Sequence, residues 1–499
     1  MVRNITLFLL VLLFVNFKMV AQNNNNDNVI EVDLTLDDVI DLAHQQSLHS
    51  FRARNMYLSR YWEFRSYQAD RLPSLELSAT PVNYNRSVEE RYVDGDDQFV
   101  SISNFTSNGS LSIRQNVPWT GGVFDVTTSL RRRENLDEGG VQYSSVPVSV
   151  GFSQSLNGYN RFKWESRIEP LKFEQAKLDY LQSLENLAVQ ATNHFFNVAS
   201  AEIDKQIAET NYANADTLYN IGKGRFEIGT VTQDELLDLE LSLLNAQLEV
   251  SRSEINLKEA YASLNSFLGL GDDIKVNCVV PDDIPELQID VERAVAMAIE
   301  NNPEILNSER QLLEAEQNVE RTRSQGGISA DIRANFGVER SSDDFANVYS
   351  SPFDEYQQVS VGLSMPIIDW GRQKGRVEMA RSNMEVTEAT VQQALIDFEQ
   401  DAIISILDFN LQKEQVAIAA KADTIAQLGF DVTMQRFRID KVDVIRLNSA
   451  RTSLDAARRS YINALRRYWT SYFGVRSLTL YDFENDQPLI EELDDLLQQ

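Results

Sequence analysis

The chain has 499 residues, of which 43% are hydrophobic and 24% are charged, and its formal net charge is −29 at pH 7. This composition is that of a folded protein, and the excess of acidic residues disfavours nucleic acid as a partner because polyphosphate would be repelled. The single cysteine, Cys278, excludes an intramolecular disulfide, and three histidines (His44, His49 and His194) leave little material for a metal centre.

The N-terminal segment has the pattern of a secretory signal peptide. Arg3 precedes an apolar run from Leu7 to Val15, and Ala21 closes the run before a polar stretch. We therefore predict a signal peptide over residues 1–21; the alternative is a retained membrane anchor, for which the run is short. Beyond it, no uncharged apolar stretch approaches the roughly 20 residues of a membrane-spanning helix. If this exported chain enters a membrane, it must do so as strands.

The rest of the chain contains two copies of one pattern. LTLDDVIDLA, from Leu34, matches IDVERAVAMA, from Ile289, at an offset of 255 residues, whereas VGFSQSL (150–156) matches VGLSMPI (361–367) at an offset of 211. The first copy therefore holds 44 extra residues between these anchors. We predict four units after the signal peptide: a first repeat over 22–270, a linker over 271–290, a second repeat over 291–475 and an acidic tail over 476–499.

Each copy is predicted to run helix, strands, long helix, turn and helix. In the first copy, Thr35 and Asp38 form a capping box for a helix over about 36–70, and a long helix follows over about 160–221. Thr232 and Glu235 cap a third helix. Gly269 and Gly474 are predicted to end the last helices of the two copies, and a helix over about 292–323 opens the second.

Between the helices, apolar and polar residues alternate as in two-faced strands. The first copy contains LELSATPVNYN, SLSIRQNV and VPVSVGFSQSL, and the second alternates over 328–338 and 359–367. The extra segment of the first copy includes TGGVFDVTTSLRRR, which suggests an added hairpin. One isolated strand would favour a soluble α+β core, but four to six amphipathic strands in an exported chain favour a membrane barrel.

The helices carry heptad stripes that are typical of helix-on-helix packing. Leu239, Leu243, Ala246 and Val250 step by four and three, and the series from Leu447 to Tyr468 repeats this spacing. A similar stripe places His194 on a packed face, so we interpret it as a core or seam residue rather than a metal ligand. The long helix would measure ~90 Å, so two shorter helices stacked end to end would flank it.

Over nearly its full length the chain resembles the TolC-like outer-membrane efflux proteins, or outer membrane factors. The motifs that carry the resemblance are, in order, LTLDDVIDLAHQQSL with RLPSLELSA, RFEIGTVTQDELL, VERAVAMAIENNPEIL and MPIIDWGRQKGRVEMAR. The resemblance implies a mainly α, internally duplicated fold in which a long α-helical periplasmic barrel joins a trimeric transmembrane β-barrel. Members of the family typically contribute four strands per protomer. The 44 extra residues either raise that number to six or form a hairpin outside the wall.

The function implied by the resemblance is that of a passive exit duct in a tripartite efflux or type I secretion system. The homotrimer would lie in outer-membrane lipid with a long periplasmic extension, coupled to an inner-membrane transporter through a periplasmic adaptor protein. No catalytic residue, cofactor or metal is expected. The alternatives are an exported structural coiled-coil protein without transport activity and, less favoured, an enzyme. The exported substrate stays open, because a passive duct takes its specificity from the pump.

By the same resemblance, the periplasmic tips are the turns over 222–234 and 436–443. The predicted adaptor contacts at the two tips are Arg225, Phe226, Gly229, Thr230, Arg436 and Phe437. The alternative is that the aromatic residues only staple each turn. Asp440 replaces, in the second tip, the glycine found in the first; aspartate tolerates a left-handed backbone, so a turn is still feasible.

A periplasmic gate is predicted just beyond the second tip. The family places two aspartates three residues apart there, and this chain has Asp443 followed by Arg446. Two interpretations are equally open: a contact between Asp443 and Arg446 that helps to close the pore, or an Asp443 that only caps the following helix.

Overall fold

The fold is described from a computed structural model, in which the described residues are 30–490 apart from 94–95, 138, 157, 272–273, 282–283 and 440. The predicted signal peptide, Asp440 and the last nine residues of the predicted tail therefore lie outside the described residues. Within the described part of the chain, no helix has both the length and the apolar character needed to cross a bilayer.

The elements of the first copy follow the predicted order. They are β1 (Ile30–Leu34), α1 (Leu36–Gln46), α2 (Leu48–Ala69), β2 (Ser74–Val93), β3 (Asp96–Val117), β4 (Gly122–Asn135), β5 (Val141–Ser155), α3 (Arg161–Glu227) and α4 (Gln233–Leu268). The long helix α3 begins as predicted and extends six residues further than the predicted end at 221. The capping boxes of Thr35 with Asp38 and of Thr232 with Glu235 are both present.

The second copy repeats this order with fewer strands. After β6 (Ile274–Cys278) in the linker, the elements are α5 (Val291–Asn301), α6 (Pro303–Ser324), β7 (Ser329–Ser342), β8 (Asp354–Ser364), α7 (Arg372–Arg438) and α8 (Val444–Thr479), followed by the short strands β9 (Tyr481–Asp482) and β10 (Gln487–Pro488). Strand β8 ends earlier than the predicted alternation, so Met365 and Ile367 lie beyond it and are exposed.

The first helix of each copy is broken in two, which corrects the prediction of one continuous helix. In the first copy Ser47 adopts an extended backbone, and its side chain accepts a hydrogen bond from the Ser50 N–H. In the second, Asn302 is extended because it precedes Pro303, whose ring disfavours a helical residue before it. Ser47 and Asn302 are 255 residues apart, so the break belongs to the repeat.

The end of the last helix is a second correction. Gly269 ends α4 with a left-handed backbone (φ +73°), as predicted, but α8 passes through Gly474 and ends at Leu480, which has φ +46°. Leu480 lies 211 residues after Gly269, so it is the true counterpart in the second copy. Helix α8 therefore runs beyond 475, and the residues after it form the β9–β10 hairpin.

The helices form one layer whose order is set by their contacts. In the half of the layer near the turns that join α3 to α4 and α7 to α8, the order is α4, α3, α8 and α7. In the half near the sheet, the order is α2, α3, α6 and α7. Each 67-residue helix is roughly 100 Å long, and a shorter pair (α2 with α4, or α6 with α8) lies along it. The stacking inferred from helix lengths is therefore confirmed. The edges of the layer are α2 and α4 on one side and α7 on the other.

The main core lies at the middle of this layer. Phe195, Phe196, Phe409 and Tyr468 are fully buried there. The parallel pair of β1 and β6 packs against the same core and joins the start of the chain to the linker. The middle of the molecule thus holds the two copies together.

The strands form one six-stranded sheet in the order β2-β3-β4-β5-β7-β8, all antiparallel. By the repeat, β2 corresponds to β7 and β5 to β8, so β3 and β4 are the extra residues of the first copy. They lie in the interior of the sheet and pair along most of their length. Of the two possibilities left open by the sequence, the added hairpin is part of the sheet and raises its strand number from four to six.

Candidate functional site: the two edges and the helical tips

The sheet has one apolar face and one polar face. Five apolar residues pair directly across five strands: Leu75, Ile113, Val126, Val150 and Phe336. The next residues along the strands point to the opposite face, where a row of paired polar or small residues crosses all six: Ser74, Arg114, Asp125, Gly151, Asn335 and Gln358. This separation suits a wall between hydrocarbon and water.

The edges of the sheet leave apolar side chains and backbone groups open. Strand β2 pairs only with β3, and β8 only with β7, within the described part of the chain. On the apolar face, Leu75 and Leu77 of β2 and Val359, Val361 and Leu363 of β8 are all exposed. Edge strands of this kind are templates for pairing with another chain.

Helix α4, at one edge of the helical layer, has an unpaired heptad seam. Its members, here called the α4 seam, are about half exposed and step by four, three, four and seven: Leu237, Leu241, Leu244, Leu248 and Ile255. The predicted stripe through Leu239 lies on a different face, where it packs against Gly222 of α3. The helix therefore has two apolar faces, of which one is satisfied within the protomer.

Helix α7, at the opposite edge, has a matching seam. Its members, here called the α7 seam, repeat every seven residues and are also about half exposed: Ile404, Leu411, Ile418, Ile425 and Val432. The predicted stripe on α8 is buried against its neighbours, with Leu447 and Tyr468 almost fully covered. Sequence reasoning found the satisfied stripes and missed these exposed seams, although the seven-residue spacing could have identified them.

The two seams lie at the same levels of the molecule. Counted from the turns that join α3 to α4 and α7 to α8, Leu241 is level with Val432, Leu248 with Ile425, and Ile255 with Ile418. Apolar residues at heptad spacing on two helices at equal levels are the requirement for knobs-into-holes packing. One edge of the protomer is therefore complementary to the other.

At the first tip, the turn brings four of the predicted contact residues together. The Thr230 N–H donates to the Arg225 carbonyl at 2.9 Å, and the Thr230 hydroxyl donates to the same oxygen at 3.0 Å. Gly229, with φ +75°, reverses the chain, and its N–H donates to the Phe226 carbonyl. Phe226 is 41% exposed at the end of the turn.

The second tip repeats this geometry 211 residues later. The Lys441 N–H donates to the Arg436 carbonyl at 2.9 Å, the same span as from Thr230 to Arg225. Arg436 is exposed and Phe437 is half-buried. Both tips thus present an arginine followed by a phenylalanine in the last turn of a long helix.

Beyond the second tip, Asp443 is the N-cap of α8. Its carboxylate oxygen accepts a hydrogen bond from the backbone N–H of Arg446 at 2.8 Å. The side chains of both residues are exposed, and no ion pair joins them within the protomer. The contact between this pair is therefore a helix cap, and it occupies one of the two carboxylate oxygens.

The histidine singled out by the sequence lies in a packed, polar setting. His194 Nδ1 is 3.2 Å from the Ser263 hydroxyl, and its ring stacks on Phe267 with 4.5 Å between centroids. Burial lowers the pKa of His194, and His49 adds to the effect. His194 is thus a partly buried residue at the contact between α3 and α4, a seam position on a packed face.

A family model of the outer membrane efflux proteins matches residues 122–270 and 294–479, more than half of the chain. No curated protein sequence matches the chain at a significant level.

Solved structures of several outer-membrane proteins are similar to the chain. The Campylobacter jejuni CmeC outer membrane channel aligns with a TM-score of 0.64 and 16% identity, over 89% of this chain and 85% of that chain. The Vibrio cholerae outer membrane protein VceC gives 0.62 and 13%, over 89% and 95%. The open state of the Neisseria gonorrhoeae MtrE outer membrane channel gives 0.57 and 14%, over 89% and 88%. The predicted fold class is thus confirmed.

Proposed function

The chain belongs to the outer membrane efflux protein family, and from this premise we propose that it is the homotrimeric outer-membrane channel of a tripartite efflux or type I secretion system. It acts as a passive exit duct, coupled through a periplasmic adaptor protein to an inner-membrane transporter. The observation that carries the proposal is the complementarity of the two edges of the protomer, in the sheet and in the helical layer alike.

Trimer formation would satisfy both edges at once. Strand β8 of one protomer would pair with β2 of the next, and the α7 seam would pack on the α4 seam of the same neighbour. Six strands are too few to enclose a wide channel, whereas three protomers supply 18, an even number as in other outer-membrane barrels. The polar face of the sheet would then line the lumen, and the apolar face would meet lipid.

The added hairpin fits the width of the sheet to that of the helices. Six strands spaced about 4.8 Å apart span roughly 29 Å, which a tilt of about 40° widens to about 38 Å. Four helices about 9.5 Å apart also span about 38 Å. The hairpin of β3 and β4 therefore supports a channel with little change of circumference from membrane to periplasm.

The tips are the proposed docking site for the adaptor. Arg225, Phe226, Gly229 and Thr230 form one turn, and Arg436 and Phe437 form its repeat. In a trimer these would make six similar turns around the periplasmic end. An exposed phenylalanine beside an arginine is the kind of anchor that protein interfaces favour.

The gate is proposed to involve Asp443 and Arg446 of neighbouring protomers. One oxygen of Asp443 is engaged in the helix cap, which leaves the second free to meet a guanidinium across a subunit boundary. A partly exposed pair is worth only about 1 kcal/mol, but three equivalent pairs would bias an equilibrium between closed and open tips.

Thiol crosslinking tests the assembly directly. The native thiol of Cys278 is buried, so cysteines introduced by Leu248→Cys and Ile425→Cys are the accessible ones. With a short bismaleimide, this double variant should give dimers and trimers on a denaturing gel and no larger species, because a closed ring has no free edge.

Two kinds of control variant should give no crosslink. Each single cysteine variant should stay monomeric, as should Leu248→Cys with Met379→Cys, which lies far along α7 from the tip. If the double variant with Leu248→Cys and Ile425→Cys gave monomers only, the proposed trimer would be wrong. A ladder without an upper limit would favour the alternative of an exported structural filament.

A further inference from the structure

A pocket of about 530 Å³ lies where the sheet meets the helices, and the channel function does not use it. It is lined by Arg71 from the turn after α2, Pro118 and Trp119 from the turn between β3 and β4, and residues of the first turns of α3, among them Asn160 and Lys163. The size is that of a small-molecule site. The β3–β4 turn is part of the 44 extra residues, so the added hairpin builds one wall.

The pocket carries positive charge that no carboxylate neutralises at ion-pair distance in the described part of the chain. Arg71 Nη2 donates to the Phe162 carbonyl at 3.4 Å, but Arg71 Nε is buried without a hydrogen-bond partner. Lys163 is exposed and forms no ion pair with the described residues. Glu165 of α3 is paired with Arg161 at 3.1 Å and also interacts electrostatically with Arg71, beyond ion-pair distance. A buried N–H without a partner is costly, so an acceptor is expected at this point.

The backbone around the pocket strengthens the preference for an anion. The Asn160 side chain caps α3 by accepting from the Lys163 N–H at 3.3 Å, and it also donates to the Pro118 carbonyl at 2.8 Å. The first turn of this 67-residue helix therefore points its positive end at the pocket, and Asn160 fixes the β3–β4 turn beside it.

The rim of the pocket is aromatic and apolar. Trp119 is 86% exposed, and only Pro118 separates it from Val117, the last residue of β3, which lies on the apolar face of the sheet. Leu72, next to Arg71, is also exposed. Tryptophan favours the boundary between headgroups and hydrocarbon. The cations thus lie at headgroup level, with apolar side chains toward the membrane.

We propose that this pocket binds the phosphate group of an anionic phospholipid, such as phosphatidylglycerol, from the periplasmic leaflet. Arg71 Nε and Lys163 Nζ donate to the phosphate oxygens, and Trp119 covers the glycerol and the upper acyl chain. The inference rests on the proposed function for the membrane level of the sheet. It adds a lipid that holds the added hairpin to the start of α3.

Native mass spectrometry of the full-length protein in detergent, titrated with phosphatidylglycerol or phosphatidylcholine, tests the proposal. The wild type should bind the anionic lipid at least tenfold more tightly. Arg71→Gln with Lys163→Gln should abolish that preference, because two charge-assisted hydrogen bonds are lost. The matched control, Arg60→Gln with Lys172→Gln, removes the same charge from ion-paired positions at 2.7 and 2.9 Å and should keep it. Lys163→Gln alone, a change at an exposed side chain, should give a partial loss without any effect on folding.

Two results would overturn the proposal. Equal lipid preference in the wild type and the double variant would remove the site. Displacement of the lipid by millimolar inorganic phosphate, with no effect of Trp119→Ser, would identify a site for free phosphate instead. Crosslinking and conductance report on the channel separately: a trimer that conducts without lipid preference refutes only the lipid site, and a lipid-binding protein that forms no channel refutes only the function.

Discussion

The guanidinium of Arg476 on α8 forms a bidentate ion pair with the carboxylate of Glu185 on α3. Nε lies 3.1 Å from one oxygen and Nη2 lies 3.0 Å from the other, and the two side chains are only 16% and 10% exposed. Arg476 also contacts Asp482 at 3.2 Å. One arginine of the second copy thereby joins the first copy and the C-terminal hairpin.

Removal of Glu185 should therefore destabilise the protein strongly. Glu185→Ala leaves a buried guanidinium without its bidentate partner, which typically costs about 3 kcal/mol or more. We expect the thermal midpoint in detergent to fall by several degrees. Glu249→Ala, which breaks the exposed pair with Arg252, should cost less than about 1 kcal/mol. Equal midpoints for the two variants would show that the buried pair contributes no more than a surface one.

Acid should destabilise the protein partly through His44 on α1. His44 Nε2 is 3.2 Å from the Leu184 carbonyl, and burial lowers the pKa of His44 although this hydrogen bond opposes the shift. Because the folded state holds the neutral ring, its stabilising effect is complete above the unfolded pKa of about 6.5 and is lost as the pH falls below that value.

The corresponding measurement is the drop in thermal midpoint between pH 8 and pH 5. It should be smaller in His44→Gln, which keeps a donor for Leu184 and does not titrate. A drop of the same size in both proteins would assign the acid sensitivity to other groups.

The turn at the first tip depends on the left-handed backbone of Gly229. A Cβ at Gly229 or at Gly224 would meet no atom within 4 Å, but only Gly229 has a positive φ. Gly229→Val should therefore strain the turn by roughly 1–3 kcal/mol, whereas Gly224→Val in the helix should be nearly neutral.

The measurement that compares Gly229→Val with Gly224→Val is export in the native host, together with the amount of trimer in the membrane. We expect Gly229→Val to impair export at a normal trimer level and Phe226→Asp to do the same. Normal export by both variants would remove the first tip from the adaptor site.

The two roles of Asp443 can be separated by two substitutions. Asp443→Asn keeps a good N-cap but removes the charge, whereas Asp443→Ala removes both and costs the helix about 1 kcal/mol. If charge pairs hold the tips closed, the Asn variant should raise the single-channel conductance, and so should Arg446→Ala. Conductance equal to that of the wild type in Asp443→Asn and Arg446→Ala would leave Asp443 as a cap alone.

Local signals of the fold were readable from the sequence because they act over a few residues. The capping boxes at Thr35 and Thr232 and the stop at Gly269 needed only short-range chemistry. The stop at Leu480 was missed because a left-handed leucine has no sequence signal; the surrounding contacts, including burial of its side chain, hold it there. The break at Ser47 was missed because serine also occurs within helices.

Features that depend on distant pairing were not readable in the same way. The alternation in TGGVFDVTTSLRRR suggested an added hairpin, but only the pairing of β4 with β3 and β5 establishes that this hairpin lies inside the sheet. The α4 and α7 seams were likewise hidden among the stripes that pack within one protomer. The cavity of Arg71 and Trp119 depends on three segments that are far apart in the chain.

Conductance in planar bilayers tests the central claim most directly. Wild-type protein of the same size as the trimers verified by the crosslink between Leu248→Cys and Ile425→Cys should insert into the bilayer and give current steps of one uniform size. The single-channel conductance should rise when the tips are opened by Asp443→Asn. Intact trimers that insert into the membrane but give no steps, in the wild type and in Asp443→Asn alike, would contradict the proposal that this protein is a channel.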